Sequence, residues 1–188
     1  MKRLIAYSSI AHIGLMAAAM FTNNADGMQG VIFQMFSHGI NVLGLWIVAD
    51  VIEQQTGTRK LSELGGLAQK APALAILFVV MALANIALPL TNSFIGEFIM
   101  FNSLFRHNIW MAAVALISII LAAVYTLWMV QKIFYGEEKN TTYVLDVPLN
   151  TKLMLAVLAA VVIFFGVYPQ PMIDLTNDTV TRIVAQIK

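Results

Sequence analysis

The segment LPLTNSFIGEFIM at residues 88–100 constrains the structure most strongly, because it places a proline and a carboxylate inside a long apolar run. Pro89 has no amide hydrogen and its ring clashes with the preceding helical turn, so a helix must bend or end there. Thr91, Asn92 and Ser93 follow at once, and all three residue types are good helix N-caps. We therefore predict two half-helices with a polar gap between them, and Glu97 in the first turns of the second.

Glu97 is the residue in this stretch that needs a chemical explanation. An acid at the centre of a membrane costs on the order of 3 kcal/mol on insertion scales. Burial favours its neutral form, whereas a helix N-terminus favours the anion by up to about 2 kcal/mol. A carboxyl group held between these two effects can exchange a proton near neutral pH. We predict a proton-handling role, and the alternative is a neutral, structural glutamic acid that is hydrogen-bonded to a neighbour.

The composition around this stretch is that of an integral membrane protein. Of the 188 residues, 60% are hydrophobic and 11% are charged, and the mean hydropathy is +0.80. This is more apolar surface than the core of a soluble domain can hide. The net charge of +1 gives no reason to expect a nucleic acid partner. The absence of cysteine excludes disulfides, thiolate metal sites and cysteine-ligated iron–sulfur clusters.

The apolar segments predict an all-α bundle of about five membrane spans, near 3–22, 27–52, 71–106, 109–134 and 151–168. About 20 residues cross a bilayer, so 71–106 has the length for either one pass or two. As one broken pass, it leaves most basic residues on one side: Lys2, Arg3, Arg59, Lys60, Lys70, Lys132, Lys139 and Lys152. The positive-inside rule favours this arrangement, with a cytoplasmic N-terminus. We expect 1–168 to form the membrane domain and 169–188 an amphipathic interfacial tail.

Further polar residues lie inside the predicted spans. His12 and His38 belong to different spans, and for both we predict a role in a proton relay, because imidazole titrates near neutrality. The remaining polar residues are expected to line the same region through interhelical hydrogen bonds worth about 0.6 kcal/mol each. They are Ser8, Gln34, Asn41 and Asn85. No metal site is predicted, because two histidines and one glutamate on separate spans share no short ligand spacing.

Three ordered motifs carry a resemblance to a known family: KRLIAYSSIAHIG at 2–14, FQMFSHG at 33–39 and LPLTNSFIGEF at 88–98. They closely resemble the proton-pumping membrane subunits of respiratory NADH–quinone oxidoreductase (complex I), over about residues 1–170. YPQP at 168–171 also fits the end of the last core span. Sister subunits and antiporter relatives usually carry lysine where this chain has Glu97, so the glutamate favours the chain M branch, the counterpart of mitochondrial subunit 4.

This resemblance implies a fold of two inverted five-helix repeats, each with a broken helix, and a line of protonatable residues through the membrane centre. His12, His38 and Glu97 match the relay positions of the family. The implied function is proton translocation coupled to quinone reduction, as a subunit of an enzyme that oxidises NADH. The resemblance implies no cofactor in this chain, with NADH, flavin, iron–sulfur clusters and quinone on other subunits. The implied partners are other complex I membrane subunits, the lipid bilayer, protons and internal water, in a bacterial inner membrane.

Two departures from the family pattern affect these expectations. The family usually has Pro-Gly-Thr at the break, whereas Leu90 follows Pro89 here. The chain also begins where the C-terminal third of the family begins, so we expect a fragment that does not pump alone. Two alternatives remain open: a subunit of a cation/proton antiporter or membrane-bound hydrogenase with the same fold, and a structural scaffold that does not conduct.

Overall fold

A computed structural model describes residues 1–138 and 146–187, and the regular elements in these ranges are all helices. They are α1 (Lys2–Met20), α2 (Ala25–Thr56), α3 (Leu67–Lys70), α4 (Pro72–Asn85), α5 (Asn92–His107), α6 (Ile109–Val130), α7 (Leu149–Val167) and α8 (Gln170–Ile187). A π-helical segment, Gln131–Tyr135, continues α6. The predicted all-α fold is confirmed. Lys139, which was used to assign the sides of the membrane, lies outside the described residues.

Four helices are long and apolar enough to cross a membrane: Lys2–Met20, Ala25–Thr56, Ile109–Tyr135 and Leu149–Val167. The remaining predicted pass consists of α4 and α5, with 14 and 16 residues. At 1.5 Å per residue these helices are about 21 and 24 Å long, and each falls short of a hydrocarbon core of about 30 Å. Neither half-helix therefore spans the membrane by itself.

The packing along α2 shows that α4 and α5 together form a single broken pass. Both run antiparallel to this 32-residue helix, one after the other. As the chain proceeds from α4 through α5, its contacts on α2 move toward the N-terminus of that helix. The facing pairs are Gly44 with Met81, Asn41 with Ser93, Gln34 with Glu97 and Gly30 with Met100. The basic residues on the described part of the chain are therefore distributed as the single-pass prediction requires.

Small residues on α2 allow this close approach. A Cβ atom at Gly44 would lie 2.4 Å from the Met81 Cε, and one at Gly30 would lie 2.9 Å from the Met100 Cγ. Close helix contact through glycine is a common device in membrane bundles, where packing rather than the hydrophobic effect holds helices together. The two half-helices are thereby seated against one continuous helix.

The break between the half-helices contains backbone strain. Leu90 has φ +75°, in the left-handed region that costs a residue with a Cβ roughly 1–2 kcal/mol. Its carbonyl oxygen lies against α7, where a Cβ at Gly166 would be only 2.2 Å away. The glycine that the family usually has after the proline would adopt this φ freely, so the departure at Leu90 has a structural cost.

The residues after the break form the start of α5. Thr91 occupies the N-cap position, but its side chain makes no capping hydrogen bond. Its hydroxyl instead donates to the Leu88 carbonyl, 2.6 Å away, which closes the turn around Pro89. The Asn92 Oδ1 accepts from the Ser93 amide at 2.9 Å. Thr91 therefore takes the N-cap position, and the tight turn engages its hydroxyl.

Apolar cores lie on both sides of the polar gap. Toward the lysine-rich side, α2 packs against α4 and the end of α6 through Val48, Ile52, Leu74, Phe78 and Phe134. Toward the opposite side, a smaller cluster joins α1, α2 and α5 through Leu15, Met16, Val31, Met100 and Leu104. The polar residues at the break are thus enclosed between two layers of apolar packing.

The tail is a helix, α8, that packs on the first turns of α2. The Gln29 Nε2 donates to the Thr176 Oγ1 at 2.5 Å and to the Ile173 carbonyl at 3.4 Å. Val180 and Val184 are buried. This contact places α8 on the side of the bundle opposite the lysine-rich loops, where α2 begins. Its position at a membrane interface stays a prediction.

Candidate functional site

The centre of the site is the carboxylate of Glu97, on the second turn of α5 and only 3% exposed. The His12 Nδ1 of α1 lies 3.0 Å from the Glu97 Oε1. The Gln34 Nε2 of α2 donates to the same oxygen at 3.2 Å. Gly96 makes this approach possible, because a Cβ there would lie 2.6 Å from the Gln34 Oε1. Three helices therefore converge on one buried carboxylate oxygen.

His38 extends this contact to a second imidazole. The ring centroids of His38 and His12 are 4.9 Å apart, with the planes tilted by 45°. His38 is half-buried, whereas His12 is buried. The three titratable side chains predicted from sequence therefore lie in the order His38, His12, Glu97.

The face of α2 that meets α5 is polar. Gln34, Ser37 and Asn41 lie along it, and all three are fully buried. The Asn41 Nδ2 donates to the Ser93 Oγ at 2.8 Å, and the Asn92 Nδ2 donates to the Ser37 carbonyl at 3.5 Å. His38 instead turns toward α1, because successive residues of a helix point about 100° apart. These bonds fasten the start of α5 to α2.

The end of α4 is fastened to α1 by a similar bond. The Asn85 Nδ2 donates to the Ser8 Oγ at 3.0 Å, and both residues are buried. Ser8 stands one helical turn before His12, so this bond lies next to the imidazole. The predicted polar residues of the four helices are therefore gathered around the break.

Several buried polar atoms in this layer have no hydrogen-bond partner among the described residues. They are His12 Nε2, Gln34 Oε1, Ser37 Oγ, Asn41 Oδ1, Asn85 Oδ1, Tyr125 OH and Thr126 Oγ1. Buried polar groups in proteins are almost always paired, with the protein or with ordered water. Such a concentration of free donors and acceptors suits a region that takes up water and passes protons along hydrogen bonds.

Sequence reasoning missed Tyr125 and Thr126. Both lie in α6, and Thr126 is buried. The Tyr125 hydroxyl lies near Ser8 and Glu97, so it faces the same layer from the fourth side. The available signal was the pair Tyr-Thr in the middle of the apolar run LAAVYTLWMV, which a reading based on charged residues passes over.

The arrangement does not resemble a metal centre. The described residues contain no group of three or more histidine, cysteine, aspartate or glutamate side chains placed to hold an ion. The groups around Glu97 are one imidazole and one amide donor, which favour hydrogen bonding to the carboxylate. What they can do chemically is hold a proton, release it, and orient the group that receives it.

Comparison with known proteins places this geometry in a family. A sequence profile of the family described as NADH:quinone oxidoreductase/Mrp antiporter, transmembrane, matches residues 1–126. The chain belongs to this family. Membership confirms the predicted resemblance and an integral, multi-pass membrane protein. The site is therefore compared with members of the oxidoreductase/antiporter family.

Curated relatives carry oxidoreductase names. The chain is 37% identical over 186 residues to NADH-quinone oxidoreductase subunit M of Rhodobacter capsulatus, which covers 98% of this chain and 36% of that protein. It is also 37% identical over 178 residues to NADH-ubiquinone oxidoreductase chain 4 of Prototheca wickerhamii, over 93% of this chain and 34% of the relative. The chain thus spans about a third of the length of these relatives.

Solved structures agree with the fold. A chain of respiratory complex I from Thermus thermophilus superposes with a TM-score of 0.87 at 29% identity, over 98% of this chain and 40% of that one. A chain of the Mrp complex from Dietzia sp. DQ12-45-1b superposes with a TM-score of 0.85 at 20% identity, over 96% and 42%. The second match establishes a shared fold.

Proposed function

We propose that this chain carries part of a proton path in the membrane domain of an NADH:quinone oxidoreductase. The observation that supports this most directly is the 3.0 Å contact between the His12 Nδ1 and the Glu97 Oε1, buried at the break of a membrane helix. In hydrocarbon, such a break is tolerated where protein or water satisfies the freed polar groups. An acid and an imidazole in contact there form a donor–acceptor pair for protons.

In this mechanism protons arrive from the side of His38 and pass through His12 to Glu97. The unpaired Nε2 of the neutral His12 ring first accepts a proton from His38 or from water, which makes the ring an imidazolium. The proton on the His12 Nδ1 then moves to the Glu97 Oε1, which leaves a neutral acid and a neutral imidazole with its proton on Nε2. Return of the ring to the form protonated on Nδ1, by proton exchange with water, completes the cycle. Gln34 holds the carboxyl oxygen in position while it changes charge. The proton then leaves Glu97 toward the side opposite the lysine-rich loops.

The driving energy would come from quinone reduction on other subunits, and the part of this chain is to switch the charge of buried carriers. We assign NADH, flavin, iron–sulfur clusters and quinone to those subunits. Other membrane subunits of the complex, bilayer lipid and internal water would be the partners. Residues 1–168 would form the translocating bundle and 169–188 an interfacial tail, in a bacterial inner membrane.

The test replaces Glu97 in the complete complex, reconstituted in sealed vesicles. Glu97→Gln keeps the size and hydrogen-bonding capacity of the side chain but removes its titration, whereas Glu97→Asp keeps a titratable carboxyl. We expect Glu97→Gln to lower the proton-to-electron ratio or stop turnover, and Glu97→Asp to retain part of the pumping. If both variants keep the full ratio and turnover, Glu97 is not on the path.

The antiporter alternative draws support from the fold shared with the Mrp complex chain. It predicts sodium-dependent proton exchange in vesicles that contain no NADH-oxidising subunits. The glutamate at 97, where antiporter relatives usually carry lysine, favours the oxidoreductase. A scaffold without conduction would be supported if a double variant of His38 and Glu97 left pumping unchanged.

A further inference from the structure

Four buried amide side chains among the described residues share one pattern of hydrogen bonding. In each of them the nitrogen donates to a neighbour, whereas the oxygen has no hydrogen-bond partner among the described residues. They are Gln29, Gln34, Asn41 and Asn85, and all are at most 8% exposed. A buried acceptor without a partner costs free energy, so each of these oxygens is available to a donor that comes within reach.

The groups that accept from these amides distinguish Gln34 from the other three. Asn41, Asn85 and Gln29 donate to hydroxyl groups of serine or threonine, and Gln29 donates to a backbone carbonyl as well. A hydroxyl or carbonyl group keeps the same charge throughout. Gln34 donates instead to the carboxylate of Glu97, at 3.2 Å. Of the four amides, it is the one whose partner changes its charge in the proposed mechanism.

The hydrogen-bonding capacity of Glu97 changes when its carboxyl group takes up a proton. The carboxylate only accepts hydrogen bonds, so the Gln34 Nε2 must face it, as it does in the structure. The neutral acid carries an O–H donor, for which the amide oxygen is the fitting partner. A half-turn of the amide group about its last side-chain bond exchanges the nitrogen and the oxygen. Because the two groups have nearly the same shape, this rotation requires little space.

The surroundings of Gln34 suit both orientations of its amide. Gly96 leaves the amide unobstructed, because a Cβ there would lie 2.6 Å from the Gln34 Oε1. Ser37 follows one turn later on the same face of α2, is fully buried, and has an Oγ without a partner among the described residues. Side chains three residues apart on a helix are neighbours. The Ser37 hydroxyl can therefore accept from the Gln34 Nε2 after rotation, directly or through one water.

Competition for the hydrogen of the neutral acid gives this rotation a consequence. The His12 Nδ1 and the Gln34 Nε2 both lie against the Glu97 Oε1, at 3.0 and 3.2 Å. After the transfer from His12, the Nδ1 is a free acceptor beside the new O–H group. In water an imidazole binds a proton about a hundredfold more tightly than a carboxylate does, so the proton readily returns. An amide oxygen in place of the Gln34 Nε2 would draw the acid hydrogen away from His12.

We propose that Gln34 is a positioning residue whose amide switches from donor to acceptor each time Glu97 takes up a proton. Its Nε2 donates to the carboxylate. After the proton has moved from the His12 Nδ1 to the Glu97 Oε1, the Gln34 Oε1 accepts from the new O–H group, and the amide itself neither gains nor loses a proton. The acid hydrogen thus turns from α1 toward α2, which slows its return to His12. This rests on the proposed function of Glu97 and adds the group that holds the transferred proton.

Infrared difference spectroscopy of the complete complex, triggered by NADH, can detect this switch, because the C=O stretch of an amide shifts when its oxygen gains a hydrogen bond. Glutamine labelled with carbon-13 at the side-chain carbonyl identifies glutamine bands without any substitution. Gln34→Met then removes the amide and keeps the length of the side chain. Gln29→Met is the matched control, since it removes a buried amide from the same helix whose partners keep their charge.

We expect a label-sensitive glutamine band in the unsubstituted complex and in Gln29→Met that is absent in Gln34→Met, together with severalfold slower proton pumping in Gln34→Met. Gln34→Asn serves where Gln34→Met does not assemble, because the glutamine band must vanish there too.

The switch is overturned if the unsubstituted complex shows no glutamine band, if the band survives replacement of Gln34, or if Gln34→Met pumps as fast as Gln29→Met. Glu97→Gln measured in parallel separates this proposal from the proposed function. Loss of pumping in Glu97→Gln without any glutamine band leaves Glu97 on the path and removes the switch, whereas full pumping in Glu97→Gln removes Glu97 itself.

Discussion

The two halves of α2 pack against their neighbours through different kinds of side chain. Its later half meets α4 through apolar side chains such as Leu45, Val48 and Ile52, all at most 1% exposed. Its earlier half meets α5 through Gln34, Ser37 and Asn41, which are equally buried but polar. The first contact is a close-packed layer without charge, and the second is a hydrogen-bonded layer that contains a carboxylate and borders two imidazoles.

The difference follows from the helix break. Where α4 is continuous it offers only side chains to α2, and apolar packing is sufficient. Where the chain breaks at 86–91, polar residues must accompany it, because a lipid-like environment does not satisfy free backbone groups. The apolar half therefore provides stability and holds the helix in register, while the polar half tolerates unpaired atoms that would be costly elsewhere. Variants in each half test whether stability and polar chemistry are divided in this way.

The largest effect is expected in the apolar half. Phe78 is fully buried, and its ring centroid lies 5.1 Å from that of Phe134. Phe78→Ala should destabilise the protein by about 3–5 kcal/mol, the usual cost of removing a buried aromatic ring. Thermal unfolding of the purified complex measures the loss. Phe98→Ala, at an exposed site on α5, should lower the stability little. An equal loss of stability at both sites would show that the apolar half is not the main source of stability.

A smaller effect is expected at the break, where the strain at Leu90 can be released. Leu90→Gly should make the protein more stable than Leu90→Ala by about 1 kcal/mol, because the left-handed conformation penalises any residue with a Cβ. Leu90 is 68% exposed, so the two variants remove the same few contacts. The melting temperatures of the two variants provide the comparison. An alanine variant as stable as the glycine variant would mean that the turn at Pro89 is not strained.

In the polar half, the removal of one interhelical bond should cost less. Asn41→Ala deletes the 2.8 Å bond to Ser93 and should lower stability by about 0.6 kcal/mol, the average for such bonds in membrane proteins. Leu45→Ala, one turn further along α2, should cost about 2–5 kcal/mol. Unfolding of the two variants under the same conditions tests the comparison. Similar losses of unfolding free energy would show that the polar layer stabilises the fold as much as the apolar layer does.

The smallest effect on stability is expected at Tyr125. Its hydroxyl has no hydrogen-bond partner among the described residues, so Tyr125→Phe should change the free energy of unfolding by no more than about 0.5 kcal/mol. Proton pumping should nevertheless slow, because the hydroxyl faces Ser8 and Glu97. Tyr168→Phe, at the exposed end of α7, is the matched control. Unchanged pumping in Tyr125→Phe would exclude the hydroxyl from the path.

Much of this arrangement could be predicted from sequence because its signals are local. Pro89 dictates a break, long apolar runs dictate spans, and basic residues dictate their orientation. The convergence of His12, Gln34 and Glu97 was expected in outline, since buried polar side chains in hydrocarbon need one another. The resemblance to the family supplied the relay positions that spacing alone could not.

What could not be predicted depends on contacts between distant segments. The turn hydrogen bond of Thr91 and the left-handed φ of Leu90 arise from how the break closes against Gly166. The helix that His38 faces depends on the rotation of α2, which is set by its packing with two neighbours. The contact between α8 and Gln29 joins residues that are more than 140 positions apart in the chain. No local sequence pattern reveals such a contact.

Proton transfer through this site requires Glu97 to change its protonation while the complex turns over. Infrared difference spectroscopy of the complete complex, triggered by NADH, records the C=O stretch of protonated carboxyl groups. We predict a carboxyl band that is present in the unsubstituted complex, is absent in Glu97→Gln, and is shifted in Glu97→Asp. Difference spectra that are identical in the carboxyl region with and without Glu97 would show that Glu97 keeps one protonation state during turnover.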